Sequence, residues 1–210
     1  MKTKIFLVLF SLSILLAACQ SEPEPLPGDI LFEDDFSTTE YQWTSLANEG
    51  GAMGYDAGGF RFFIRGEGLN YWSTPDLTFT DTRIEADAFQ YAGPVANRLG
   101  LICRYQNDQN YYFFVISADG YYAVGKMKAG EQTLLEQEAM RFSDEIKTGQ
   151  SINHLRADCQ GSTLSFFVNN ASVAMVEDEE FTTGDVGLLV GTFDEGDVDI
   201  LFDNFIVLQP

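Results

Sequence analysis

The stretch that decides the fold runs from Leu99 to Lys128. It reads Leu99-Gly100-Leu101-Ile102-Cys103-Arg104-Tyr105, a polar loop over 106–110, Tyr111-Tyr112-Phe113-Phe114-Val115-Ile116-Ser117, Ala118-Asp119-Gly120, and then residues 121–128. Two apolar, aromatic-rich runs joined by a five-residue polar loop predict a β-hairpin. Ala118-Asp119-Gly120 is turn chemistry and sends the chain back a third time. In the register that sets Tyr105 opposite Tyr111, Arg104 faces Tyr112 and Cys103 faces Phe113.

The same grammar extends outward. Arg83-Ile84-Glu85-Ala86-Asp87-Ala88 alternates strictly, which gives one small apolar face and one charged face, and Gly93-Pro94 ends that run. Residues 30–36 predict a first strand containing acids. A glycine-rich stretch over 49–59 leads into a strand over 60–64, and residues 69–72 form a short one. Downstream, strands are predicted over 133–138, 151–159, 163–168, 172–176, 185–192 and 198–208, with a polar connection before 151. Gln160-Gly161-Ser162 and Asn169-Asn170 supply turns. Roughly twelve strands, no long helical periodicity and no internal repeat predict an all-β, two-sheet antiparallel sandwich rather than a propeller or solenoid.

The N-terminus carries an address. Lys2 and Lys4 precede an uncharged run over 5–16, too short to span a bilayer, which needs roughly 20 apolar residues. Leu16-Ala17-Ala18-Cys19 resembles the bacterial lipobox. That resemblance implies a signal peptide over 1–18, cleavage, and lipidation of Cys19. The protein would then be exported and held on the extracytoplasmic side of a membrane through its lipid. Residues 19–28 carry Pro23, Pro25 and Pro27, a spacing that favours an extended tether ahead of one domain over 29–210.

Composition narrows the partners. The formal charge is −20 over 210 residues, and removal of Lys2 and Lys4 with the signal makes it −22. Such acidity disfavours nucleic acid and anionic lipid headgroups. Eighteen Phe and nine Tyr suit strands. Cys103 and Cys159 remain once Cys19 is lipidated, and export to an oxidising compartment predicts that they pair.

At the level of whole segments a family resemblance emerges. Phe32-Glu33-Asp34-Asp35-Phe36 and Phe202-Asp203-Asn204-Phe205 bracket the domain. Between them lie residues 100–105, Asn110-Tyr111-Tyr112-Phe113-Phe114, Leu164-Ser165-Phe166-Phe167-Val168-Asn169 and Gly187-Leu188-Leu189-Val190. The pattern resembles the concanavalin A-like lectin/glucanase superfamily, with the laminin-G-like and 3-keto-disaccharide hydrolase-like domains as near variants. The resemblance implies a jelly roll and, near the junction of first and last strands, a structural calcium. Asp34, Asp35 and Asp203 fall in the matching segments, and backbone carbonyls would have to complete their shell. Glucanases of the superfamily set carboxylates at alternate strand positions. Glu85 and Asp87 share a face but are followed by Phe89, and Glu195, Asp197 and Asp199 alternate through a glycine-containing loop. Neither set fits, and the lone His154 leaves little for a triad, so the sequence leans away from an enzyme.

Sugar recognition needs exposed rings beside hydrogen-bonding groups. Tyr105, Tyr111 and Tyr112 gather at the ends of adjacent strands, with Tyr121 and Tyr122 nearby. Asn107, Asp108 and Asn110 sit on the joining loop, and Trp72 is a further ring. Arg104, set in an apolar strand, must pair or reach an open face. The leading expectation is a non-catalytic, carbohydrate-binding (lectin-like) domain. A structural or partner-binding envelope lipoprotein is the alternative, and a glycan-processing hydrolase the third.

Overall fold

Strands that alternate apolar and polar residues turn one face to a core and one to water, whereas uninterrupted apolar runs bury both faces. This chain contains both kinds, and they segregate into two sheets. The computed structural model describes residues 24–56 and 58–210; the signal segment, Cys19 and the start of the tether lie outside the described residues.

The strands in chain order are β1 (Ile30–Asp34), β2 (Leu46–Asn48), β3 (Gly51–Asp56), β4 (Gly59–Ile64), β5 (Asn70–Ser73), β6 (Thr82–Ala92), β7 (Asn97–Asn107) and β8 (Asn110–Ile116). They continue with β9 (Tyr121–Lys128), β10 (Glu131–Leu134), β11 (Arg141–Phe142), β12 (Ile152–Gln160), β13 (Thr163–Val168), β14 (Ala171–Glu177), β15 (Asp185–Thr192) and β16 (Val198–Leu208). The larger sheet has the order β14-β13-β12-β6-β16-β4-β3-β2, and β1 pairs with the C-terminal half of β16 beyond β4. The smaller sheet has the order β10-β9-β8-β7-β15-β5, with β11 also on β9. All pairings within each sheet are antiparallel. The glycine-rich stretch forms β3, pairing along its length with β4, and the polar connection contains β11.

Between the sheets lies one core. Ile84, Ala86 and Ala88 of β6 and Leu155, Ala157 and Cys159 of β12 enter from the larger sheet, and Leu101, Tyr112, Phe114 and Ile116 from the smaller. Cys103 of β7 is bonded to Cys159 of β12, so the disulfide fastens one sheet to the other through that core. The outer face of the larger sheet is charged along the first half of β6, where Arg83, Glu85 and Asp87 point away from the core, and turns aromatic at Phe89 and Tyr91. The outer face of the smaller sheet is apolar. Ile102, Tyr111, Phe113, Val115, Ala123 and Leu189 form a second cluster there, packed by Trp72, Tyr105, Met127, Leu134 and Met140.

The register around Arg104 differs from the expected one. Cys103 pairs with Tyr112 and Ile102 with Phe113, and the ladder slips between Cys103 and Asn107 before Asn107 meets Asn110. Arg104 takes a φ of 52°, a conformation that breaks strand alternation. The irregularity inserts extra chain into β7, so Tyr105 reaches the outer cluster and Arg104 does not.

The described end of the tether is tied down. Gly28 N donates to Gln209 O at 2.8 Å and Leu26 N to Asp29 Oδ2 at 2.7 Å, which places the entry to the domain beside its last strand.

Candidate functional site

The outer face of the smaller sheet brings together three expected residues. Trp72 leaves β5, Tyr105 leaves β7 beyond the irregularity, and Tyr111 leaves β8. The Tyr111 ring centroid is 6.2 Å from that of Trp72 and 5.7 Å from that of Tyr105. Trp72 Nε1 donates to the Tyr105 hydroxyl at 3.1 Å. Tyr111 is buried, whereas Trp72 and Tyr105 keep part of their surface open. Burial pushes the Tyr111 phenol up to about 12, with Tyr105 and Asp108 adding to the rise and Arg98 opposing it.

Beside these rings lie residues that the sequence reading passed over. Asn70, Arg98, Met127 and Gln132 join Tyr111, Phe113, Val115 and Leu189 around a small hollow. Arg98 Nη1 donates to Gln132 Oε1 at 3.1 Å, and its guanidinium lies 4.8 Å from the Phe193 ring centroid. Burial pulls Arg98 below the ordinary arginine value. Asn70 Oδ1 and Arg98 Nε are both inaccessible to solvent and have no hydrogen-bond partner in the protein. Both lie over Gly191: a Cβ there would come within 2.3 Å of Asn70 Oδ1 and 3.1 Å of Arg98 Nε. The absent side chain at Gly191 is therefore what admits both groups. For Arg98 alone a signal was available, because Arg98, Gly100 and Ile102 share one face of β7 by simple alternation; its meeting with Asn70, Met127 and Gln132 is set by strand order.

Other expected residues have structural roles. Arg104 is 2 % exposed. It donates from Nε to Thr80 O at 3.2 Å, from Nη1 to Phe181 O at 2.7 Å and from Nη2 to Asp81 Oδ1 at 3.1 Å. Tyr112 is fully buried; it donates to Asp178 Oδ1 at 2.6 Å and accepts from Phe181 N at 3.0 Å. Two expected ligand residues are thus corrected to interior staples holding the 178–181 segment, and neither presents a surface to a ligand. Asn107 Oδ1 accepts from Gln109 N and Asn110 Nδ2, and Asn110 Oδ1 accepts from Ala129 N, so both shape the hairpin. Asp108 is exposed at its tip.

Of the acids suggested for calcium, Asp34 has both carboxylate oxygens engaged by the protein itself, and Asp35 and Asp203 have one each. Asp34 Oδ1 accepts from Phe36 N at 2.8 Å, and Oδ2 accepts from Trp43 Nε1 at 2.9 Å and Tyr55 Oη at 3.0 Å. Asp35 Oδ1 accepts from Ser37 N and Asp203 Oδ1 from Asn204 N. Among the described residues no three His, Cys, Asp or Glu side chains converge as a metal would require. Of the alternating acids, Glu85 and Asp87 flank His154, at 3.4 Å from Nε2 and 3.0 Å from Nδ1. Asp199 pairs with Arg61.

A larger cleft, about 670 Å³, opens on the outer face of the larger sheet between Ser45, Ala52, Gly54, Arg61, Phe63 and Asp199. Its size is not matched by free chemistry. Arg61 is committed to Asp199 through Nε at 2.8 Å and Nη2 at 2.7 Å, and to Asp56 through Nη1 at 2.7 Å. Two of the buried polar atoms without a partner, Asn70 Oδ1 and Arg98 Nε, lie beside the half-open rings of the smaller sheet, and that face is the stronger candidate.

With this geometry in place, comparison with known proteins is informative about the fold. No family model matches the chain, and no curated protein matches it in sequence. Solved structures do match. The carbohydrate-binding module CBM66 from Bacillus subtilis aligns with a TM-score of 0.63 at 20 % identity, over 79 % of this chain and 94 % of that one. A Bacillus subtilis protein of unknown function with a galectin-like fold aligns at 0.62 and 11 % identity, over 88 % and 97 %. A Bacteroides ovatus mixed linkage glucan GH16 protein, solved with its product, aligns at 0.60 and 13 % identity, over 85 % and 100 %. The chain is an all-β, concanavalin A-like jelly-roll sandwich.

Proposed function

We propose that this protein is an exported lipoprotein, anchored through Cys19 on the extracytoplasmic side of a membrane. Its jelly roll binds a glycan on the outer face of the smaller sheet without changing it covalently. One observation carries the reading. Trp72 and Tyr105 stand half-open over Tyr111, next to the polar side chains of Asn70, Arg98 and Gln132, of which Arg98 Nη1 and Gln132 Oε1 reach the surface. Rings for stacking beside polar side chains that reach the surface are what sugar faces and hydroxyls require. The jelly-roll neighbours described as a carbohydrate-binding module and as a GH16 protein with bound product support the same class of ligand.

The test is a glycan-array screen of residues 24–210 with Trp72→Ala and Tyr105→Ala alongside. Selective binding lost in both variants is the expected result; binding that survives in both moves the site elsewhere. The anchor is tested separately, by labelling cells with a fatty-acid analogue and comparing the full chain with Cys19→Ser. Incorporation into both forms, or neither, would overturn lipidation at Cys19.

A second reading has its own observation. Tyr91, Val95 and Ile152 are 42 %, 45 % and 57 % exposed, and Phe89, Tyr91 and Ile152 border one depression on the larger sheet. Exposed apolar surface of this kind suits contact with another envelope protein. Cross-linking from position 152 in intact cells, with no adduct formed, would remove it.

A further inference from the structure

We propose that the sugar bound on the smaller sheet carries a carboxylate, and that this carboxylate pairs with Arg98. The inference rests on the glycan-binding reading and names its ligand more closely.

The argument begins with charge. Arginine stays protonated, and burying its charge without a partner is costly. In an acidic chain the other buried or half-buried arginines have found carboxylates: Arg61 pairs with Asp56 and Asp199, Arg83 and Arg156 with Asp158, and Arg104 with Asp81. Arg65 and Arg141, which have no such pair, are exposed to water. Arg98 is half-buried, yet its described contacts are a neutral amide and the face of Phe193. Arg98 Nε points to the same place as Asn70 Oδ1, over Gly191.

Size and spacing then define the ligand. The hollow measures about 10 Å³, room for one oxygen-sized group but not a ring. Asn70 and Trp72 leave the same face of β5 two positions apart, about 7 Å along the strand. A pyranose stacked on Trp72 would therefore place a substituent, not its ring, at Arg98. Arg98 Nε and Asn70 Oδ1 are closed to solvent, so a carboxylate would meet the guanidinium at its outer edge, where Nη1 reaches the exposed Gln132. The net charge of −20 opposes a densely charged polyanion at long range. The fit is to an isolated uronic- or sialic-type residue in an otherwise neutral glycan.

The experiment titrates the soluble domain with oligosaccharides bearing one glucuronic, galacturonic or N-acetylneuraminic acid, each beside its carboxyl-reduced neutral counterpart. At least tenfold tighter binding of one acid form is expected. Arg98→Gln should abolish that preference, with its Tm checked. Asn70→Asp is the second variant: it sets a carboxylate beside Arg98 from within, so it should keep the fold and lose the acid preference at least tenfold. Equal binding of acid and reduced forms would overturn this inference and leave the glycan-binding reading standing. So would an acid preference untouched by both variants. If the array and these titrations show no glycan bound by folded protein, both readings fail together.

Discussion

Trp72 Nε1 donates its hydrogen bond to the Tyr105 hydroxyl across β15, the strand that separates β5 from β7. The bond fixes two half-open rings relative to each other before any ligand arrives, which lowers the ordering cost of binding. Tyr105→Phe removes the acceptor and keeps the ring, so glycan affinity should fall about 3- to 10-fold by calorimetric titration. Trp72→Ala removes a stacking surface and should cost more than about tenfold, or roughly 1.4 kcal/mol and above. Unchanged affinity in Trp72→Ala would take this face out of consideration.

The Cys103–Cys159 bond links the two sheets and closes a segment with a sequence separation of 56. Chain-entropy arithmetic for a loop of that length gives about 4 kcal/mol. Replacing both cysteines by alanine should lower Tm by roughly 10 °C in a domain of this size. Calorimetry with and without reductant checks it: reductant should move the wild type and not the variant. A wild-type Tm indifferent to reductant after full thiol exposure would mean the bond contributes little.

Asp34 is a buried acceptor for three donors, from Phe36, Trp43 and Tyr55. Burial, followed by the bond to Asp34, pushes the Tyr55 phenol well above its ordinary value. Asp34→Ala leaves those donors without their acceptor, and a loss of about 3 kcal/mol is expected by denaturant titration. Calcium should shift the wild-type Tm by less than about 1 °C relative to chelator, because ligand binding to the folded state would otherwise raise it. A rise of several degrees would restore a cation to this corner of the fold.

The two sheets were legible because their strands speak differently. Residues 83–88 alternate and sit on the larger sheet with a charged outer face, as alternation demands. Tyr111 through Ile116 has no polar residue to mark an outside, and both its faces are buried. An outer face that is apolar is thus visible in the sequence as a missing alternation. The candidate site was read only in part. Tyr105, Tyr111 and Trp72 meet, but Arg104 was placed by an unbroken ladder, and the positive φ at Arg104 breaks that ladder. Nothing in the residue types between Cys103 and Asn107 announces the irregularity. Arg98 and Asn70 were missed for a different reason: β5 and β7 are separated by β15, a neighbour relation set by long-range topology rather than local sequence.

Asp185 opens β15 opposite Tyr105, and its carboxyl is buried. Burial pushes it from its ordinary 3.8 up to about 6, against hydrogen bonds from Val186, Leu77, Thr74 and Asp76 that pull the other way. The folded state therefore binds this proton more tightly than the unfolded chain does. Linkage makes the contribution of Asp185 fully present below the unfolded value near 4, and lost as pH rises through about 6. At about 1.4 kcal/mol per pK unit the loss is on the order of 3 kcal/mol. Asp185→Asn cannot titrate, so its stability should fall less than the wild type's between pH 4 and 7. A constant offset from the altered hydrogen bonds cancels in that comparison, because it does not vary with pH. Thermal melts of both proteins at unit pH steps provide the measurement, and the difference in Tm should drift in favour of the variant as pH rises. Parallel curves would mean that the carboxyl ionises normally and that the loop over 74–77 pays no electrostatic penalty for covering it.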